Sequence, residues 1–382
     1  MRPLCLLALF WCMPVGAASL PEVVSRPLTT IDQYSDRILR SVSSYFAPRL
    51  QFSGSSNHDT ERAKGRLSLS GSDILWSSHN LALDFRDSVA RRDGGESQSL
   101  RFRYSLPLAG STVKILVNNS EHAGVAHNAG LRQDSRREYQ GLKLSASRPF
   151  WSWRGIKVNS VFSHSTGTKR SFEDSEWVSD SSHSLSSFGL RCAGKQELPG
   201  GFVAGTGLTA LGGTEHHESV SQTAHSTEKS RFHKLAVSAS LYRAFYRWDM
   251  EVNGRYQFAP EDLASSEYLQ IAGPSMMRGF NGQSLSVSEG GWVRLDARSP
   301  GYAIPFMDAT VSNVMVSVLR GWSPSSGTNE EDFEASTGEI ALQLQTPGFE
   351  ARMSVGRILD VSGPAMDKPS RPDVSLSMSM AI

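Results

Sequence analysis

The chain has 382 residues, with 39 Lys and Arg against 38 Asp and Glu, a formal net charge of +1 and only 3 cysteines. Charges that nearly cancel argue against a large nucleic-acid-binding surface, and the lack of any later run of about 18 consecutive apolar residues excludes helical membrane spans. Strands that cross a membrane are not excluded, because their alternating pattern averages to a polar value.

Met1-Arg2 leads into an apolar run from Leu4 to Pro14, and Val15-Gly16-Ala17-Ala18 supplies small residues of the kind found at a secretory cleavage site. Residues 1–18 therefore read as a signal peptide, too short in its apolar part for the roughly 20 residues of a spanning helix. Trp11 before Cys12 is too bulky for the usual lipoprotein signal. Cleavage removes Cys5 and Cys12, so Cys192 is the one mature cysteine and no internal disulfide can hold the exported chain. Closed backbone pairing is the means left to it. Residues 19–47 form an N-terminal segment. Within it Ile31, Tyr34, Ile38, Val42 and Tyr45 recur at helical spacing over 29–46, which fits either a short amphipathic helix, as a plug or on the periplasmic side, or a partly ordered tail.

From Gly65 onward the dominant period is two. Leu67 and Leu69 alternate with Arg66, Ser68 and Ser70; Leu81, Leu83 and Phe85 with Ala82, Asp84 and Arg86; Leu100, Phe102 and Tyr104 with Arg101, Arg103 and Ser105. The same pattern returns at Trp248 to Tyr256, at Ile340 to Leu344 and in the closing run from Val374 to Ile382. In a soluble sandwich the apolar face would point inward, whereas in an outer-membrane barrel it faces lipid and the polar face lines the lumen. The loop pattern separates the two. Sixteen segments are expected near 48–56, 62–72, 79–87, 97–106, 111–120, 137–148, 155–165, 183–194, 201–211, 232–243, 247–258, 290–299, 309–319, 335–346, 349–359 and 372–382. Short links at Pro107 to Gly110, Pro149 to Arg154, Leu198 to Gly200, around Phe245 and at Pro347-Gly348 alternate with long polar links at 121–136, 166–182, 212–231, 259–289, 320–334 and 360–371. That alternation makes 48–382 an all-β, sixteen-stranded antiparallel transmembrane barrel with both termini on the periplasmic side. Trp151 and Trp153 fall in a short turn, where an interfacial aromatic girdle is expected.

Two short motifs carry the chemistry. Met277-Arg278-Gly279-Phe280, with Gln283-Ser284-Leu285 behind it, lies in the long link after the eleventh segment, and Phe306-Met307-Asp308 precedes the thirteenth. An Arg offers a planar fork and an Asp two acceptor oxygens, so a bidentate pair can fix the tip of a long loop against the entropy of ordering it. Gly279 permits a tight bend, and Phe280 can pack on an apolar wall.

Together these motifs and the strand plan resemble the two-partner secretion transporters, the TpsB or ShlB/FhaC/HecB-type haemolysin secretion/activation family of the BamA-like superfamily. The resemblance implies that a [VI]-R-G-[FY] loop folds back into the barrel and that Arg278 pairs with Asp308, with Gly279, Phe280, Gln283 and Phe306 completing the anchor. Met277 stands where the family has a β-branched residue. The family also carries two periplasmic POTRA domains, for which the roughly 30 residues before the first strand leave no room.

Remaining clusters point elsewhere. Glu215, His216, His217 and Glu218, and likewise His122 and His127, read as solvated loop residues without a second ligand group. Glu330, Glu331, Asp332 and Glu334 form an acidic external loop, with divalent bridging to lipopolysaccharide as the alternative. No Gly-x-Ser-x-Gly elbow, phosphate loop or paired-cysteine metal motif occurs, so neither enzyme, metal nor cofactor is expected. The expectation is a secretion channel in the bacterial outer membrane. Its partners are a secreted polypeptide, outer-membrane lipid and lipopolysaccharide, and a separate periplasmic POTRA-like or chaperone protein, with no nucleic acid. A passive or plugged diffusion pore is the alternative.

Overall fold

The computed structural model describes residues 50–58, 62–73, 78–90, 95–128, 131–222, 224–260, 263–305, 309–324, 332–363 and 366–381. The signal peptide at 1–18, the segment 19–47 with its helical reading at 29–46, Phe306, Asp308, Glu330 and Glu331 lie outside the described residues.

Period-two patterning yields strands throughout. In chain order the barrel strands are β1 (Leu50–His58), β2 (Arg62–Ser72), β3 (Asn80–Ala90), β4 (Glu96–Leu108), β5 (Ser111–Asn128), β6 (Leu131–Trp153), β7 (Ile156–Glu173) and β8 (Glu176–Leu198). They continue as β9 (Phe202–Ser221), β10 (His225–Phe245), β11 (Trp248–Phe258), β12 (Gly290–Arg298), β13 (Val311–Ser323), β14 (Phe333–Thr346), β15 (Phe349–Ser362) and β16 (Asp373–Ala381). Each pairs antiparallel with its neighbours, and β1 closes on β16 in a register running from Ser53 opposite Ala381 to His58 opposite Leu376. Tyr302–Ala303 also pairs with β13, so it prolongs the β12 position after a break. The result is a closed sixteen-stranded antiparallel barrel. Closure leaves no sheet edge, which is what backbone polar groups require in a medium without water.

The two faces differ as the alternation demands. Leu67, Phe85, Leu100, Val316, Val318, Ile340, Leu342, Met353 and Met378 are exposed on the outer face, and their neighbours Arg66, Asp84, Arg101, Ser317, Glu339 and Ser354 turn inward. At the end of the barrel with the tight turns, Phe150, Trp151, Trp153, Phe245, Tyr246, Tyr302 and Phe349 are all exposed, forming an aromatic belt. Trp151 and Trp153 belong to the last residues of β6 and not to a turn. A register shift between Pro149 and Trp151 precedes them, and the turn is Arg154-Gly155.

Three expected loops are strand. The links expected at 121–136, 166–182 and 212–231 continue β5 to β10, leaving connections of only a few residues near 129–130, 174–175 and 222–224. These upper portions are largely polar on both faces and so carry little hydrophobic alternation, but they stay paired, with one register shift between Ser171 and Phe172. Their outer faces are laced by Arg136 with Glu121 and Glu138 (both 2.8 Å), Arg170 with Asp180 (3.7 Å) and His225 with Glu218 (3.0 Å). Below them the outer face turns apolar at Leu142, Phe162, Phe188 and Leu235, marking the lipid boundary. Glu215 to Glu218 thus sit within a strand, and no metal-binding cluster occurs among the described residues.

Candidate functional site: a loop anchored across the lumen

Residues 259–289 leave β11 and return to β12 by way of the barrel interior. Within them Leu269–Ala272 pairs antiparallel with Leu285–Val287, so the loop is a short hairpin with its own tip. At the stem, Leu263 and Ala264 pack with Leu185 of β8 and Phe232 of β10. Lys234 of β10 meets Glu267 at 2.5 Å and donates to its backbone carbonyl at 3.0 Å, and Gln257 of β11 donates to the same carbonyl at 3.1 Å. At the tip the partners belong to β14, β15 and β16. In a closed circle of sixteen, β8 and β16 stand opposite each other. Only the concave face lets one loop touch both, so the loop crosses the lumen.

Backbone groups of the tip bond directly to the wall. The Arg278 N–H donates to Glu339 Oε2 (3.0 Å), and the Thr337 hydroxyl lies 3.1 Å from the Arg278 carbonyl oxygen. The Gly279 N–H donates to Asp373 Oδ2 at 3.3 Å. Glu339 is fixed in turn by Arg352 at 2.8 Å. Glu339, Thr337 and Asp373 are all buried, so these bonds form away from bulk water, where an unmade bond is costly.

Two glycines make this approach feasible. Gly279 has φ +116°, and a Cβ there would lie 2.5 Å from the Thr337 hydroxyl and 2.7 Å from the Arg357 backbone nitrogen. Gly356 is its counterpart on the wall: a Cβ on it would overlap the Arg278 carbonyl group. Loop backbone therefore lies directly against strand backbone.

Phe280 and Ile271 are fully buried, in a cluster with Met277, Leu269, Leu319, Phe333, Ala335, Ile358 and Met366. Burying a side chain of Phe size is worth about 1.5–3 kcal/mol relative to leaving it in water. The luminal faces of β13, β14 and β15 become apolar where the loop covers them. Gln283 exchanges two bonds with the Asp367 backbone, donating at 3.0 Å and accepting at 2.9 Å, and Asn281 donates to the Arg371 carbonyl at 3.1 Å. The tip is thereby tied to the 363–372 connection between β15 and β16.

Of the residues read from sequence, Arg278, Gly279, Phe280 and Gln283 come together at this tip. Phe306 and Asp308 lie outside the described residues; Ile304 and Thr310, on either side of them, are joined by an N–H to carbonyl bond of 3.1 Å. Glu339, Thr337, Gly356 and Asp373 are additions that the sequence motifs do not point to. Their signal is faint: apolar Leu319 and Ile358 interrupt an otherwise polar luminal face.

No curated protein matches the chain in a sequence search. Among solved structures, CdiB from Acinetobacter baumannii aligns with a TM-score of 0.67 and 15% identity over 87% of this chain and 60% of that one. CdiB from Escherichia coli aligns with a TM-score of 0.66 and 17% identity over 87% of this chain and 63% of that one. The chain spans less than two thirds of the length of either, and at these identities the likeness is one of fold. The profile of the haemolysin secretion/activation protein ShlB/FhaC/HecB matches residues 37–315. With the closed barrel, its lipid-facing band and the matched stretch in agreement, the chain is a bacterial outer-membrane protein and belongs to the ShlB/FhaC/HecB haemolysin secretion/activation family.

Proposed function

We propose that this chain is the pore of a two-partner-secretion-type transporter, passing a secreted polypeptide across the outer membrane, with residues 259–289 as an anchored plug. The observation that carries the reading is the loop running from β8 to β16 with its tip held by buried bonds to Glu339 and Asp373. A static scaffold has no need to thread a loop through its own channel. A transporter does need to stay closed to small solutes when no passenger is present.

In this reading Arg278 pairs with Asp308 and adds a charge-assisted contact to the backbone anchors, while Phe280 and Gln283 hold the tip to the β13–β15 wall and to the 363–372 connection. Passage of a chain requires the tip to leave its seat. In this reading the drive is folding of the passenger outside the cell. First contact with the passenger on the periplasmic side falls to residues 19–47 or to a periplasmic partner.

Single-channel conductance in planar bilayers tests this. The parent is expected to be mostly closed, and Arg278→Ala and Asp308→Ala to open it. Steady, unchanged conductance in all three would sink the plug assignment and leave a simple diffusion pore.

A further inference from the structure

The wall that the loop tip leaves uncovered is basic. Cross-strand register puts Arg66, Arg86, Arg101, Arg103, Lys114 and Lys143 on the luminal face of β2 to β6. Among the described luminal positions of those strands the one acid is Asp84, which is buried and shared by Arg66 and Arg103, the latter at 2.6 Å. The covered wall is different: Arg294 is matched by Asp296, Arg352 by Glu339 and Lys234 by Glu267. Arg66 stands directly opposite Arg86 in the β2–β3 register, and like charges in that position oppose sheet stability. Strand pairing therefore does not account for the placement. A cavity of about 330 Å³ beside the loop stem continues the basic track, lined by Lys114, Lys143, Arg191, Arg255 and the Lys234–Glu267 pair.

We infer that the basic wall is an anion-selecting track and that the passenger it favours is an extended polypeptide segment rich in Asp and Glu. The passenger part rests on the proposed transporter function; the selectivity part does not. Rows of guanidinium and ammonium groups at cross-strand spacing let a carboxylate hand over from one fork to the next without being left unpaired. A channel lined by one sign of charge also concentrates the opposite sign at its mouth.

The test is the reversal potential of the purified full chain under a KCl gradient, measured on the parent and on a variant lacking residues 265–287, so that a closed parent still leaves a conducting barrel. At about 0.1 M salt, where the screening length is about 10 Å, chloride should be preferred by at least about threefold in permeability. Lys114→Gln with Lys143→Gln should reduce that preference, and Lys114→Glu with Lys143→Glu should reverse it. Poly-L-glutamate added on the periplasmic side should block current at lower concentration than poly-L-lysine of equal length. A permeability ratio at or below one, or a ratio unmoved by either pair of substitutions, overturns the selecting track. Anion preference without preferential block by poly-L-glutamate overturns the passenger assignment. Neither result depends on whether Arg278→Ala opens the channel, so failure here is distinguishable from failure of the plug.

Discussion

Gly279 is where a single methyl group would disturb most. Its backbone lies in a region that L side chains rarely adopt, and the new atom would press on the Thr337 hydroxyl and the Arg357 backbone. Gly279→Ala is expected to destabilise the seated tip by about 1–3 kcal/mol, which recordings would show as frequent brief openings while the denaturant midpoint of the barrel stays unchanged. Glu339→Gln retains an acceptor for the Arg278 N–H but removes the countercharge of Arg352. Losing the charge assistance should weaken the seat by about 1–2 kcal/mol, read as an intermediate open probability between the parent and Gly279→Ala. The sequence disclosed only one side of this contact. Arg278-Gly279-Phe280 and Gln283 stand out in a long polar link, whereas Thr337, Glu339 and Asp373 are single polar residues on strands whose inner face is polar anyway. Nothing local distinguishes an anchor from a residue that faces water. Leu319 and Ile358 did break the alternation, since the inner face turns apolar only where protein covers it.

At the level of strands and loops, lipid contact made the pattern readable and its absence hid it. The short strands, such as β2 and β3, alternate cleanly because one face meets hydrocarbon. The upper halves of β5 to β10 have water on their outer face, so Ser, Thr and charged residues occupy both sides and look like loop. Their backbone groups pair all the same, which is the constraint that composition does not reveal. Val316→Arg, on the outer face of β13, should cost about 2–4 kcal/mol, whereas Ser182→Arg, on the outer face of β8 above the apolar band, should change stability little. Urea unfolding in lipid vesicles compares the two. Equal losses would mean that the lipid boundary has been misplaced.

For the whole molecule, the count of sixteen and the closure of β1 on β16 follow from alternation and the regular placing of turns, which is why the architecture was legible before any side-chain contact was known. Height was not. Strands of 18 to 23 residues in β5 to β8 exceed the roughly 9–11 that a bilayer requires, so that side of the barrel rises well clear of the lipid. On intact cells, Thr227→Cys in a Cys192→Ser background should react with a membrane-impermeant maleimide, and Ala109→Cys, at the opposite end of the barrel, should not. Reaction at Ala109→Cys but not at Thr227→Cys would invert the orientation. The one-sided rise has a consequence for anything flexible that emerges from the mouth. A polymer tethered beside a rigid screen loses every conformation that would cross it, and this loss of configurations acts as a sideways push. Without any directional contact, a chain released at the pore would drift toward the low side, above β12 to β16, and would begin to compact there, in the lee of the wall.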